Sequence, residues 1–209
     1  MKIQVIALGD YQANCYILTD EKENAAAVVD PGVASDELND ILLGYDLKYI
    51  LLTHGHFDHI YGSESLKSLY PDAKLCIHEA DEICLNNNDY NLVGSYSGYL
   101  PELQADMILS NGDEIVLSDK IKLTVVHTPG HSRGSVCYVD YENNYMFSGD
   151  TLFCRTVGRV DFLGSNPDDM FDSIKLLSTF DPEMVVYPGH NRATTIGEEK
   201  VKNRYMRKL

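Results

Sequence analysis

The segment His54-x-His56-x-Asp58-His59 packs three imidazoles and a carboxylate into six residues, directly after the short apolar run Leu47–Leu52. For a chain of this composition the pattern arises by chance roughly once in a thousand sequences, so it calls for a physical cause. Imidazole nitrogen and carboxylate oxygen are the donors that borderline metals such as zinc prefer. Ligands two residues apart in an extended loop point the same way, so His54 and His56 can share one ion. Asp58 and His59, beyond the turn, can face a second. The competing reading is a set of surface histidines at a helix start, which leaves the pattern without a reason.

Three further polar residues stand in Gly-marked turns that follow apolar runs: His131 in Thr128-Pro129-Gly130-His131, Asp150 in Ser148-Gly149-Asp150, and His190 in Pro188-Gly189-His190. Singly, each is an ordinary turn or helix cap. Together with the first motif they put five of the seven histidines at the ends of buried segments, and such ends converge at one edge of a sheet sandwich. Of the other two, His78 reads as a structural residue between a strand and a helix. His127 reads as a packing or supporting group rather than a ligand.

The pattern of runs and breakers predicts strands at Ile3–Leu8, Cys15–Thr19, Ala25–Asp30, Leu47–Leu52 and Lys74–His78, then at Asp113–Leu117, Ile121–His127, Ser135–Tyr141, Tyr145–Ser148 and Met184–Tyr187. Helices are predicted after Ser35, from the first motif to Tyr70, briefly from Glu79, over Asp168–Ser178, and from about Gly197. Residues 86–111 show no period and read as a long loop, and such loops are more often functional than idle. Its Tyr90, Tyr96 and Tyr99 either wall a pocket or form plain surface. Each half runs strands and then a helix before its last strand-to-loop step, an order that two face-to-face sheets with helices outside would satisfy. No linker composition divides the 209 residues, so one domain over 1–209 is expected.

Net charge is −15, from 17 Lys and Arg against 32 Asp and Glu. That field repels phosphate backbones and anionic membranes, so neither nucleic acid nor membrane is an expected partner. The N-terminal apolar stretch breaks at Gly9-Asp10, too early for a secretory core, and no run is long enough to span a bilayer. Five widely spaced cysteines without a C-x-x-C pair read as free thiols. A cytoplasmic protein is expected, its oligomeric state left open. Cys154, four residues after Asp150, is the one thiol near the chemistry. The first arginine is Arg133, and Arg133, Arg155, Arg159 and Arg192 all follow within ten residues of a metal motif. They are candidates to grip a substrate carboxylate. The plainer reading of Arg159 is a loop pin paired with Asp161.

The order H-x-H-x-D-H, then His, then Asp, then His resembles the metallo-β-lactamase superfamily over nearly the whole chain. The stretches GDTLF (149–153), GR-x-DF (158–162) and YPGHNRATTIGEE (187–199) are most similar to small glyoxalase II-like hydrolases. The resemblance implies an α/β fold of the α+β kind, a four-layer αββα sandwich. It also implies one metal on His54, His56 and His131, another on Asp58, His59 and His190, and Asp150 as bridge. Full-length glyoxalase II has an additional C-terminal helical region that this sequence lacks, which bears on the thiol carrier.

Two divalent ions, zinc first with iron or manganese as alternatives, would share and deprotonate a water for attack on a carbonyl. Asp58 and Asp150 would serve as catalytic ligands. A thiol leaves as thiolate with little help, whereas an amine needs a proton donor. The expected activity is therefore hydrolysis of a small anionic thioester. Persulfide dioxygenases of the same superfamily are also similar and imply a single iron on His54, His131 and Asp150. A non-catalytic metal-binding module is the third reading. Class B β-lactamases usually carry Cys at the position of Asp150 and are exported, and flavodiiron members usually carry Glu at that of His56.

Overall fold

A computed structural model describes residues 2–96, 100 and 103–209, without the side chains of Ser95 and Tyr96. The first sheet runs in the order β1 (Lys2–Leu8), β2 (Ala13–Asp20), β3 (Ala25–Val29), β4 (Asp46–Leu51), β5 (Lys74–His78), β6 (Met107–Leu109). Strands β1 to β3 are antiparallel hairpins and β3 to β6 are parallel. The second sheet contains β7 (Glu114–Ser118), β8 (Ile121–His127), β9 (Val136–Asp140) and β10 (Tyr145–Gly149). After a small separate hairpin, β11 (Leu152–Phe153) and β12 (Thr156–Val157), it is completed by β13 (Val185–Pro188) and β14 (Thr194–Thr195). Its order is β14-β13-β10-β9-β8-β7.

The alternation along β2 shows why the two sheets stack. Cys15 and Ile17 join a core under the first sheet, while Tyr16 and Leu18 join the core between the sheets, opposite Tyr138 and Phe147. A strand with both faces buried must be covered twice. The outer cover of the first sheet is α1 (Asp36–Leu42) with α3 (Ser63–Leu69), through Leu38, Leu42 and Leu66. That of the second is α4 (Pro167–Leu177) with α5 (Ile196–Lys202), through Met170, Ile174, Leu177 and Ile196. The result is the αββα sandwich.

Helix starts follow local chemistry. Ser35 accepts from Leu38 N at 3.3 Å to cap α1, and Asn166 caps α4 with Pro167 in its first turn. The long helix expected up to Tyr70 is instead two, α2 (Phe57–Ile60) and α3. The break falls at Gly62, whose N–H donates to Pro31 O at 2.7 Å. A Cβ there would collide with Pro31 and Val33. Residues 86–111 are likewise not all loop. They carry a 3-10 turn at Val93–Tyr96 and the edge strand β6, three residues being too short to show alternation. The two-residue strands β11, β12 and β14 escape pattern reading for the same reason. Among the described residues no helix is long and apolar enough to cross a membrane, and all five cysteines are free thiols.

Candidate metal centre

The ligand candidates sit at the C-terminal ends of four strands. His54 and His56 follow β4, with Asp58 and His59 in α2. His131 follows β8, Asp150 follows β10, and His190 follows β13. The sheets are tied together at this edge by Val136 N donating to Thr53 O at 2.8 Å and Tyr138 OH donating to Leu52 O at 2.8 Å. A register shift between Phe147 and Gly149 precedes Asp150, and bulges of this kind re-aim the side chains beside them. Gly149 has φ +47°, and a Cβ on it would strike the Thr53 side chain. Gly189 packs so near Asp150 Oδ1 that no side chain fits there either.

Two trios of donor atoms result, each with its atoms within 4.8 Å of one another: His54, His56 and His131, and Asp58, His59 and His190. Asp150 lies between them. Its Oδ2 is 3.5 Å from His131 Nε2 and 3.6 Å from His190 Nε2, and its Oδ1 is 3.5 Å from His59 Nε2. His190 Nε2 is 3.4 Å from Asp58 Oδ2 and 3.3 Å from His59 Nε2.

The far ring nitrogens fix which nitrogen faces inward. His131 Nδ1 lies 2.8 Å from Arg159 O, and a carbonyl only accepts, so Nδ1 carries the hydrogen. His59 Nδ1 lies 3.0 Å from Asp30 Oδ2 and donates in the same way. Thr53 Oγ1 gives its proton to Asp30 Oδ2 at 2.7 Å, so at 3.1 Å it accepts from His54 Nδ1. The inward Nε2 atoms of His54, His56 and His131 and Asp150 Oδ1 are buried without a hydrogen-bond partner. Buried polar atoms are rarely left so, and lone pairs converging from imidazoles and a carboxylate are what a divalent cation takes. The residues present fit a metal pair. A third grouping of Asp30 with His54 and His59 is better explained as support, because both Asp30 oxygens already accept hydrogen bonds.

Charge is handled differently in the two trios. Burial, then the neighbouring imidazoles, push His54 and His56 well below the ordinary histidine value. Burial acts the same way on His59, but Asp58, Asp150 and Asp30 outweigh it and lift the ring to about 10. His190 is also raised, with burial overcome by Asp58 and Asp150. Burial would raise Asp58, yet His59 and His190 hold it below the usual carboxylate range.

A cleft of about 340 Å³ exposes His56, Asp58, His131, Asp150 and His190, with Tyr11, Phe57, Phe153, Phe162 and Arg159 among its other walls. Of the four arginines singled out by sequence, only Arg159 lines it. Its Nε and Nη2 each bond Asp161 at 2.9 Å, and its guanidinium lies over Phe162 at 4.2 Å. The loop-pin geometry and a place in the cleft thus coexist. Arg155 and Arg192 reach Glu198 at 2.8 and 3.3 Å, and Arg133 lies over the Tyr90 ring at 5.2 Å. Tyr96 ends the 3-10 turn, and Tyr99 lies outside the described residues. His127 stacks on His78 with centroids 4.1 Å apart and meets Arg133 O at 2.8 Å, so both pack away from the ligands.

Three supports went unrecognised in the sequence. Asp30 was read only as the last residue of the strand Ala25–Asp30, although the rule that found Asp150, a polar residue closing a buried strand, applies to it equally. Asp81 is buried and accepts from Gly55 N at 3.0 Å, Gly134 N at 2.6 Å and Ser132 Oγ at 2.6 Å, tying the His54–His56 loop to the His131 loop. Asn14 donates to Pro188 O at 2.9 Å and Asn191 O at 2.8 Å, bracketing His190. No local pattern marks these two.

A family model described as the Metallo-beta-lactamase superfamily matches residues 8–190. Hydroxyacylglutathione hydrolase GloC of Haemophilus influenzae is 29% identical, over 99% of this chain and 98% of its own length. The BLEG-1 B3 metallo-beta-lactamase structure superposes with a TM-score of 0.90 at 30% identity, over 98% of this chain and 99% of that one. TTHA1623 in a di-iron-bound form gives 0.85 at 31%, over 97% and 99%. ETHE1 from Myxococcus xanthus gives 0.77 at 27%, over 98% and 84%. With its fold, its donor trios and a family match across most of its length, this chain belongs to the metallo-β-lactamase superfamily of metal-binding, hydrolase-type enzymes.

Proposed function

We propose that the chain is a binuclear thioester hydrolase acting on a small anionic thioester. One ion is assigned to His54, His56 and His131, the other to Asp58, His59 and His190, with Asp150 between. The observation that carries this reading is the pair of complete trios facing one carboxylate, with imidazole lone pairs buried and unpartnered. The N/O donor set suits zinc, with iron or manganese as alternatives. Bound there, such a pair supplies an activated water at neutral pH and an electrophile for a carbonyl oxygen.

The chain's own residues do the positioning. Asp30, Thr53 and the Arg159 carbonyl hold the rings by their far nitrogens, an arrangement that fixes tautomer and orientation. Phe57, Phe153 and Phe162 keep the cleft walls apolar. Beyond the ligand residues, no carboxylic acid, lysine or histidine lines the cleft among the described residues. A thiol, with a pKa near ~8.5, leaves from such a site unaided, while an amine would lack its donor. The likeness to GloC supports the same reading.

The likeness to ETHE1 keeps one alternative in view, a mononuclear persulfide dioxygenase using His54, His131 and Asp150. That reading leaves Asp58, His59 and His190 without a task. The test is metal analysis of purified protein beside three assays: a glutathione thioester, glutathione persulfide with an oxygen electrode, and a chromogenic cephalosporin. Two metals per chain with thioester turnover is the expected result. Oxygen uptake, or cephalosporin cleavage, without thioester turnover would overturn it.

A further inference from the structure

A second cavity, also of about 340 Å³, opens beside the metal cleft and shares Tyr11, Phe57 and Asp58 with it. The Tyr11 and Phe57 rings meet edge to face with centroids 5.3 Å apart, so they stand where the two spaces join. Beyond them the walls are Leu8, Val33, Tyr61 and Val93. The volume falls at the lower end of small-ligand pockets, which run from roughly 300 to 1,000 Å³. At a liquid-water share of ~30 Å³ per heavy atom, it holds about ten such atoms.

The charges lining this cavity are Asp10 and Asp58, with no lysine, arginine or histidine. Asp58 is turned to His190 and His59, at 3.4 and 3.7 Å. A ligand arm in the cavity therefore meets apolar walls and one exposed carboxylate, Asp10. The cleft ends differently at another wall. There Thr156, Val157 and Arg159 are shared with a third space of about 430 Å³ that also contains Arg204. A substrate lying across the metal centre thus finds the Asp161-paired guanidinium of Arg159 on one side, with Arg204 in the space beyond, and an apolar, acid-lipped recess on the other. Charge complementarity orients it.

We infer that the Leu8–Val33–Tyr61–Val93 cavity is an acyl subsite that takes an uncharged, medium-length aliphatic chain, the anionic thiol carrier lying toward Arg159. This rests on the thioesterase reading above. The subsite also selects against acyl groups ending in a carboxylate, because such a charge would lose water against the apolar walls and meet Asp10 at the rim.

The experiment measures kcat/KM of the metal-loaded enzyme on acetyl, butyryl, hexanoyl and glutaryl thioesters of one carrier. Wild type, Val33→Trp and Asp10→Lys are compared, with thermal melts as a folding check. In wild type, kcat/KM should rise roughly fourfold per buried methylene, and glutaryl should fall at least tenfold below hexanoyl. Val33→Trp fills the recess and should lower the hexanoyl-to-acetyl ratio at least tenfold. Asp10→Lys, an exposed change that tests the claim even if Val33→Trp folds poorly, should raise the glutaryl-to-hexanoyl ratio about tenfold. A flat chain-length series in wild type, or ratios unmoved by both variants, overturns the subsite while leaving thioester hydrolysis standing. No turnover of any thioester overturns the hydrolase reading and the subsite with it.

Discussion

His54, His56 and His131 are all buried and bring no carboxylate of their own, whereas Asp58, His59 and His190 combine an acid with two imidazoles, and His190 is half-buried. In the first trio burial keeps His54 and His56 neutral, with their lone pairs ready. In the second, carboxylates shift His59 and His190 toward the protonated form, so an ion binding there competes with protons more strongly. The supports differ as well. Asp81 anchors the first trio through backbone N–H groups on both of its loops, while Asp30 holds the His59 ring directly. One fold edge has made a buried, imidazole-only site and a more open one that mixes imidazoles with a carboxylate, and we expect the ions to be held unequally.

The largest expected effect tests whether the trios are one centre. Asp150→Ala removes the carboxylate near His59, His131 and His190, so metal content should fall for both trios and activity should vanish. A variant that kept two ions and over about a tenth of the rate, a loss under ~1.4 kcal/mol in barrier, would show that Asp150 does not join them. Next comes the inequality itself. His190→Ala should leave about one ion per chain, held by the buried trio, while His56→Ala should loosen that tighter ion. If either substitution empties both trios, the two behave as one cooperative site and the contrast is wrong.

Smaller effects should follow from the supports. Asp30→Asn withdraws the carboxylate that accepts from His59, and losses of such partners weaken metal binding roughly 10- to 100-fold. We expect that loss mainly in the second trio. Asp81→Asn turns an amide toward at least one of the Gly55 and Gly134 N–H donors and should weaken the first. Chelator competition read metal by metal separates the two, and equal losses in both variants would erase the distinction.

The smallest effect lies outside both trios. Glu198 is held down to about 2 chiefly by Arg155 and then Lys202, an exposed contact that ties α5 to the β11–β12 hairpin. A depressed carboxylate stabilises the fold fully above its unfolded value, about 4.5, and that contribution is lost as pH falls toward 2. Wild type and Glu198→Gln should therefore differ slightly in thermal midpoint at neutral pH and converge in acid, with metal content alike. Curves that stay parallel down to the acid limit would show that the contact adds no pH-dependent stability.

The seven donor candidates were legible because they follow four runs whose apolar character marks a buried strand, and donors of this type at such ends have few other uses. The layer order followed from the same runs, and the cap at Ser35 was legible beside them, whereas the cap at Asn166 emerged only in the fold. Where expectation failed, the cause was non-local. The helix expected to reach Tyr70 breaks because Gly62 answers to Pro31, a neighbour only in space. The arginines clustered in sequence part company in the fold: Arg155 and Arg192 turn to Glu198 on α5, and Arg159 alone reaches the cleft.

The sequence by itself determined which side chains offer metal-binding donors and that they follow buried strands, because donor chemistry and the two-residue period of a strand are local properties. Tertiary structure decided which ring nitrogen faces inward, through Asp30, Thr53 and the Arg159 carbonyl, and how the trios differ in charge. It also decided that an apolar recess rather than an arginine cluster adjoins Asp58. These depend on hydrogen bonds and desolvation between residues as far apart as Asp30 and His59 or His131 and Arg159, and local periodicity carries no record of such pairs.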